Sequence, residues 1–189
     1  NGDIFQANLS TCCKTENKQN ILAIDLFQKL KETCPAPFAG IMVANGNATG
    51  EAVISTSPER FLKMSANKRI ETRPIKGTRP RNQNPSKDYA LAAELISSTK
   101  DRAENIMIVD LLRNDLGKVC QPGTIEVTQL VGLETYAQVH HLTSVITGTL
   151  KTQSTWVDLL EACWPGGSIT GAPKIRACER LYEFEPIAR

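Results

Sequence analysis

Strand and helix signals interleave along this 189-residue chain and predict a mixed α/β domain of the α+β type, built on antiparallel hairpins. Three observations carry that reading. Residues 38–44 and 51–56 are β-rich runs joined by the turn-forming Asn45-Gly46-Asn47-Ala48-Thr49-Gly50. Residues 60–64 and 69–73 make a second such pair, turning at Ser65-Ala66-Asn67-Lys68. Residues 101–116 hold the longest helical signal, with Ile106, Val109, Leu112 and Leu116 on one face and Gly117 as a stop. At 41% hydrophobic residues the chain has the means to bury one core, so 1–189 is read as one domain.

The remaining elements follow in order. Gly2 to Ser10 opens on a turn and alternates, with Ile4, Gln6 and Asn8 on one side and Phe5, Ala7 and Leu9 on the other, which gives a strand with one polar face. Residues 20–33 place Ile21, Ile24, Leu26, Phe27 and Leu30 at near-helical spacing and end before Pro35. Pro58 interrupts the ladder between the hairpins and puts Glu59 at a strand start, near enough to share a sheet end with Lys76. Residues 82–87 read as a polar loop and 88–98 as a helix. Asp101, Glu104, Ile108 and Asp115 fall close to one face of the following helix, whereas Glu104 and Asp110 do not share a side. Residues 125–131 alternate as a strand. Tyr136 to Leu150 spaces Val139, Leu142, Val145 and Ile146 like a helix around His140 and His141; adjacent histidines on a helix diverge by about 100°, so no zinc site is expected and one ring faces a site while the other packs. Residues 156–163 form a short helix closed by Pro165-Gly166.

Charge and cysteine usage narrow the function classes. Lys and Arg number 22 against 20 Asp and Glu, which is no footprint for nucleic-acid binding. Six cysteines lie scattered without C-x-x-C spacing and no apolar run reaches membrane-spanning length, which points to reduced thiols in a cytoplasmic protein. The chain starts at Asn1 and stops at Arg189 just after a helical segment, and is read as a piece of a longer protein.

Two stretches carry chemistry. Arg73-Pro74-Ile75-Lys76-Gly77-Thr78-Arg79-Pro80-Arg81 sets one lysine among three arginines inside a bend; a lysine is a nucleophile only as the neutral amine, a form that cationic neighbours and desolvation favour. Gly166-Gly167-Ser168-Ile169-Thr170-Gly171-Ala172-Pro173-Lys174 brings three glycines and two hydroxyls to the start of a helix, a cradle for a compact anion. Gly166 and Gly171 have Walker-A spacing, but Ala172-Pro173 replaces the Lys-Ser/Thr pair, so a nucleoside triphosphate is disfavoured.

Taken together with Asp101-Arg102-Ala103-Glu104-Asn105, Ile108 to Asp115, His140-His141-Leu142 and the opening Gly2 to Ser10, these motifs resemble the chorismate-utilising enzymes along essentially the whole chain. Within that family the Pro-Ile-Lys-Gly-Thr form is similar to aminodeoxychorismate synthases, large subunit, whereas anthranilate synthases typically carry alanine at the position of Lys76. The resemblance implies two packed, mainly antiparallel sheets with outer helices, here truncated. It implies Lys76 as nucleophile toward chorismate, Glu59 as the acid, and His141 beside the ring. It implies Thr78 and the amides of Gly167, Ser168, Ile169, Thr170 and Gly171 as binders of substrate oxygens, with Lys174 adding positive potential or capping the loop. Glu104 matches one carboxylate for Mg²⁺, and ammonia comes from a glutamine amidotransferase subunit, in p-aminobenzoate and folate synthesis. The rest of the metal and substrate ligands expected of the family are absent from these residues, so the 189-residue chain is expected to be inactive by itself. The alternatives are anthranilate synthase component I and a non-catalytic chorismate-binding module.

Overall fold

The structure, a computed structural model, describes residues 2–18, 20–44, 51–185 and 187. Where the sequence suggests one domain, the described residues fall into two compact units: residues 1–10 with 61–189, and residues 11–60.

The smaller unit holds helix α1 (Ala23–Thr33) and the antiparallel pair β2 (Phe38–Val43) and β3 (Ala52–Ser57), in register from Phe38 opposite Ser57 to Val43 opposite Ala52. The expected hairpin is present, although its turn, 45–50, lies outside the described residues. No residue of α1 is fully buried, and Arg60 stacks over the Phe38 ring at 4.9 Å.

The larger unit is organised on a five-stranded sheet of β4 (Arg60–Met64), β5 (Arg69–Arg73), β6 (Ile75–Pro80), β7 (Glu126–Thr135) and β8 (Val139–Thr149). The β4–β5 hairpin has the bounds expected from sequence, and its turn closes through Ser65 N–H to the Arg69 carbonyl at 2.9 Å, with Lys68 at φ +62°. β8 is the long central strand. Along one edge it pairs first with β6, Thr78 opposite His141, and then with β5, Glu71 opposite Thr147. Along the other it pairs with β7, which extends to Thr135 and is bulged at two places.

The helical reading of 136–150 is therefore wrong. Val139, Leu142, Val145 and Ile146 imitate a helical stripe, but a strand covered on both faces needs no alternation, and the run is rich in β-branched residues. In a strand His140 and His141 point to opposite faces rather than 100° apart, which still prevents them from sharing one metal. The bend expected at Lys76 is also a strand, β6, with its register broken between Ile75 and Thr78 and Gly77 at φ +88°.

Helices α2 (Pro85–Ser97), α3 (Thr99–Val119), α4 (Trp156–Cys163) and α5 (Lys174–Phe184) complete the unit. α2 starts earlier than expected because Asn84 caps it, accepting from the Ser86 and Lys87 amides at 3.0 and 3.2 Å, with Pro85 at the first helical position. α3 runs through Gly117 rather than stopping there. Its Ile108, Val109, Leu112 and Leu116 meet Ile70, Ile146, Leu150, Leu159 and Cys163 in the main core, while Ile106 is 40% exposed and lies off that face. A 3₁₀ turn (Gly167–Ile169) leads into the two-residue strand β9 (Gly171–Ala172), which pairs with β1 (Gln6–Ala7). β1 turns its polar side inward: Ile4, Gln6 and Asn8 are half-buried, while Phe5 and Leu9 are exposed.

Ile146 is fully buried at the centre of this core, so Ile146→Ala should lower unfolding free energy by roughly 2–5 kcal/mol. Asn84→Ala, which removes only a cap, should cost about 1 kcal/mol. Urea denaturation midpoints measure both, and equal losses would contradict this placement of the core.

Candidate active site

Lys76 sits where the β6 ladder is interrupted, half-buried, with Nζ 3.5 Å from the main-chain oxygen of Ser168 in the 3₁₀ turn. The same oxygen accepts a hydrogen bond from the side-chain amide of Asn8, at the end of β1. Segments remote in sequence thus converge on one carbonyl. The bulge that makes room for this is fixed by packing: a Cβ on Gly77 would lie 2.8 Å from Asp101 Cβ and 3.0 Å from a Leu95 methyl, in a conformation that already favours glycine.

Two residues beyond Lys76, Thr78 Oγ1 lies 2.8 Å from His141 Nδ1. The two are register partners, and Glu134 of β7 stands opposite His141 on its other side, so all three share one face of the sheet. Tyr136 packs its ring 5.7 Å from the imidazole and donates its hydroxyl to Glu134 at 2.6 Å. Burial holds the His141 pKa below its ordinary value, against the nearby Glu134 charge and a backbone hydrogen bond involving Gly77, which raise it. His141 is therefore a neutral ring at neutral pH, able to accept or donate a proton. Burial pushes Glu134 up, but the Tyr136 hydroxyl, the Arg73 charge and the Gln129 amide outweigh it and keep the carboxyl below its usual range.

The opposite face belongs to packing. His140 is buried, with Nε2 3.1 Å from Asp88 Oδ1 on α2 and Nδ1 2.9 Å from Thr135 Oγ1. One histidine thus faces the candidate site and the other the helices. The three arginines around Lys76 are all engaged: Arg73 with Glu134, Arg79 with Glu94 at 2.9 Å and Asp101 at 3.2 Å, and Arg81 with Asp88 at 2.9 Å. The cationic crowd suggested by the sequence is largely neutralised by these pairs.

A family model for chorismate binding enzymes matches residues 1–189. The chain belongs to the chorismate binding enzyme family. An anthranilate synthase component I-like protein of Synechocystis sp. is 45% identical over 188 residues, covering 100% of this chain and 38% of that protein. The aminodeoxychorismate synthase component 1 of Salmonella typhimurium is also 45% identical, covering 100% of this chain and 40% of that protein. The crystal structure of anthranilate synthase component I from Streptococcus pneumoniae TIGR4 matches with a TM-score of 0.78 at 35% identity, over 97% of this chain and 39% of that one. The chain thus spans about two fifths of the length of these relatives.

For a chorismate binding enzyme, the glycine loop is more tightly built than the sequence suggests. Gly171 has its carbon against the Gln6 carbonyl, where a Cβ has no room, and a Cβ on Gly167 would lie 2.7 Å from a Leu111 methyl. The Ile169 and Thr170 amides bond back to Gly166 and Gly167 at 3.2 and 3.3 Å, and the buried Thr170 hydroxyl donates to the Gly166 carbonyl at 2.9 Å. Ser168 turns its carbonyl toward Lys76. Lys174 is taken up structurally: its ammonium pairs with the buried Asp115 of α3 and donates to the Cys163 carbonyl at 2.9 Å.

Glu104 is half-buried one turn after Asp101, 3.9 Å from Lys100. Among the described residues no three His, Cys, Asp or Glu gather as a metal-holding group, and Glu104 by itself does not fit the oxygen-rich octahedral shell that Mg²⁺ demands. Glu59 belongs to the smaller unit, where its amide contacts Ser57 Oγ at 3.3 Å in the β3–β4 turn. Among the described residues no helix is long and apolar enough to cross a membrane. The joining of Arg73, Glu134 and Tyr136 beside His141 has no signature in the sequence beyond Glu134 and Tyr136 standing two apart.

Because its folded pKa lies below the ordinary 6.5, His141 makes folding most favourable above that pH, and the contribution is lost as pH falls through 6.5 toward the folded value. NMR titration of the ring should show protonation below pH 6.5, and Glu134→Gln, which removes an opposing charge, should lower the midpoint further. A midpoint that rises in the variant would exclude this electrostatic account.

Proposed function

We propose that this chain is part of the catalytic core of an aminodeoxychorismate synthase component 1, which converts chorismate and ammonia into 4-amino-4-deoxychorismate. The observation that carries the reading is Lys76, a half-buried amine in a strand bulge beside the Thr78–His141 pair and against the glycine loop. Relatives with that name at 43–45% identity support it.

In this reading the Lys76 amine, as the neutral base, attacks C2 of chorismate. Both ring double bonds shift by one position, the C4 hydroxyl leaves as water with a proton from Glu59, and a covalent lysine adduct forms. Ammonia then adds at C4, both double bonds shift back, and the C2–N bond breaks to release Lys76 as its amine. Thr78 and His141 orient the substrate oxygens at the sheet face, while Gly167, Ser168, Ile169, Thr170 and Gly171 shape the wall beside Lys76. Lys174 acts from behind that wall, holding it to α3. In the longer enzyme Glu104 would supply one magnesium ligand and residues outside this chain the others, and the metal would polarise a substrate carboxylate. Ammonia is delivered by a glutamine amidotransferase subunit, and the product feeds p-aminobenzoate and folate synthesis in the cytoplasm.

A second reading, anthranilate synthase component I, is favoured by the naming of the Synechocystis relative and by the pneumococcal structure. The two differ at Lys76. With chorismate, ammonia and Mg²⁺, the full-length protein should yield a product that needs a separate lyase to become p-aminobenzoate; direct anthranilate would overturn the first reading. Lys76→Ala should keep chorismate binding and lose the adduct, seen as a missing mass increment on Lys76, and Glu59→Gln should slow amination by about 10²–10⁴-fold. The 189-residue chain alone should show no turnover in the same assay.

A further inference from the structure

We propose that Asn8 is a positioning residue for Lys76, acting through the main-chain carbonyl of Ser168. The inference rests on the reading above in taking Lys76 as the reactive amine.

Asn8 holds the glycine loop at two points. Its backbone N–H donates to the Thr170 carbonyl at 2.8 Å, and its side-chain amide donates to the Ser168 carbonyl. The intervening 3₁₀ turn is short, with amide contacts of 3.2 and 3.3 Å, a geometry weaker than that of an α-helix. The Ser168 carbonyl shares its planar peptide unit with the Ile169 amide, whose 3.2 Å bond to Gly166 is the turn's own hold on that plane, and the Asn8 amide adds a second hold on the oxygen itself. A carbonyl oxygen has two lone pairs. One receives the Asn8 amide, which aims the other toward Lys76, whose Nζ stands 3.5 Å away.

The length of that second contact matters. At 3.5 Å a lysine is oriented but weakly held, as suits an amine that must leave its resting partner to attack a substrate. Chemistry also explains why the residue at 8 is an amide. A carboxylate there would repel the Ser168 oxygen, and an apolar side chain would remove the hydrogen bond that Asn8 donates to it. Asn8 lies on the inward, polar side of β1, and the β1–β9 pairing fixes its height against the loop.

The test uses the full-length protein with Asn8→Leu and Asn8→Ser. Without substrate, the rate of Lys76 trinitrophenylation is followed by peptide mass spectrometry, with the exposed Lys100 as internal reference. Releasing the carbonyl should speed labelling of Lys76 severalfold, up to about tenfold for loss of one hydrogen bond, and leave Lys100 unchanged. With chorismate and ammonia, kcat should fall by about tenfold while KM for chorismate stays within about twofold. If Asn8→Leu does not fold, Asn8→Ser, which keeps a small polar side chain, carries both readouts. Wild-type labelling of Lys76 in the folded variants would overturn the proposal, whether or not kcat changes. Labelling needs no substrate, so it decides the role of Asn8 separately from the identity of the product.

Discussion

Everything in the larger unit depends on the two edges of β8. A strand buried on both faces must pair its amides and carbonyls within the sheet, because no water reaches them. β8 meets that demand with three partners: β7 on one side, and on the other β6 followed by β5, which act as a single strand broken at Pro74. The break is bridged by the Ser144 amide donating to the Pro74 carbonyl at 3.1 Å. Placing a proline and a bulged glycine within four residues of each other lets the β5–β6 edge change course while β8 runs on. Lys76 lies in that change of course, between Pro74 and Gly77, where a regular ladder would have dictated its direction.

The two faces of β8 then divide the work. Even-numbered residues meet the helices: His140 with Asp88, Leu142 with Leu95, Ser144 with Asn105, Ile146 in the core. On the odd-numbered face His141 meets Thr78, among Thr143, Val145 and Thr147. Charge is partitioned in the same way, with each arginine near Lys76 drawn to a carboxylate on a neighbouring element. What is left against Lys76 is a neutral carbonyl, and an amine resting on a neutral acceptor is easier to release than one in an ion pair.

Much of this was legible in the residues. The β4–β5 hairpin and α4 have the bounds their patterns indicate, because turn residues and a short amphipathic run act locally. The helix start at Asn84-Pro85 is equally local but stands among polar neighbours that read as loop. β8 was not legible as a strand, since burial on both faces erases alternation and Val139, Leu142, Val145 and Ile146 then mimic a helical stripe. Gly117 read as a stop but is tolerated inside α3, where packing outweighs a propensity cost of about 1 kcal/mol. At the site, Lys76, Thr78, His141 and the glycine loop could be nominated from motifs. The partners of the arginines, the structural use of Lys174 and the shared Ser168 carbonyl could not, because each joins segments distant in sequence and depends on a register that only the folded sheet defines.

The pairing of β1 with β9 has a consequence for how the protein comes into being. Asn8 and Ser168 are separated by 160 residues, so the contact beside Lys76 is among the most non-local in the molecule. Such contacts carry a large loop-closure entropy and form late. During synthesis the strand bearing Asn8 is made 160 residues before Ser168 and cannot be completed until the glycine loop has followed it. The local hairpins and helices have no such delay. The corner that holds Lys76 therefore depends on a pairing that no local segment can make by itself.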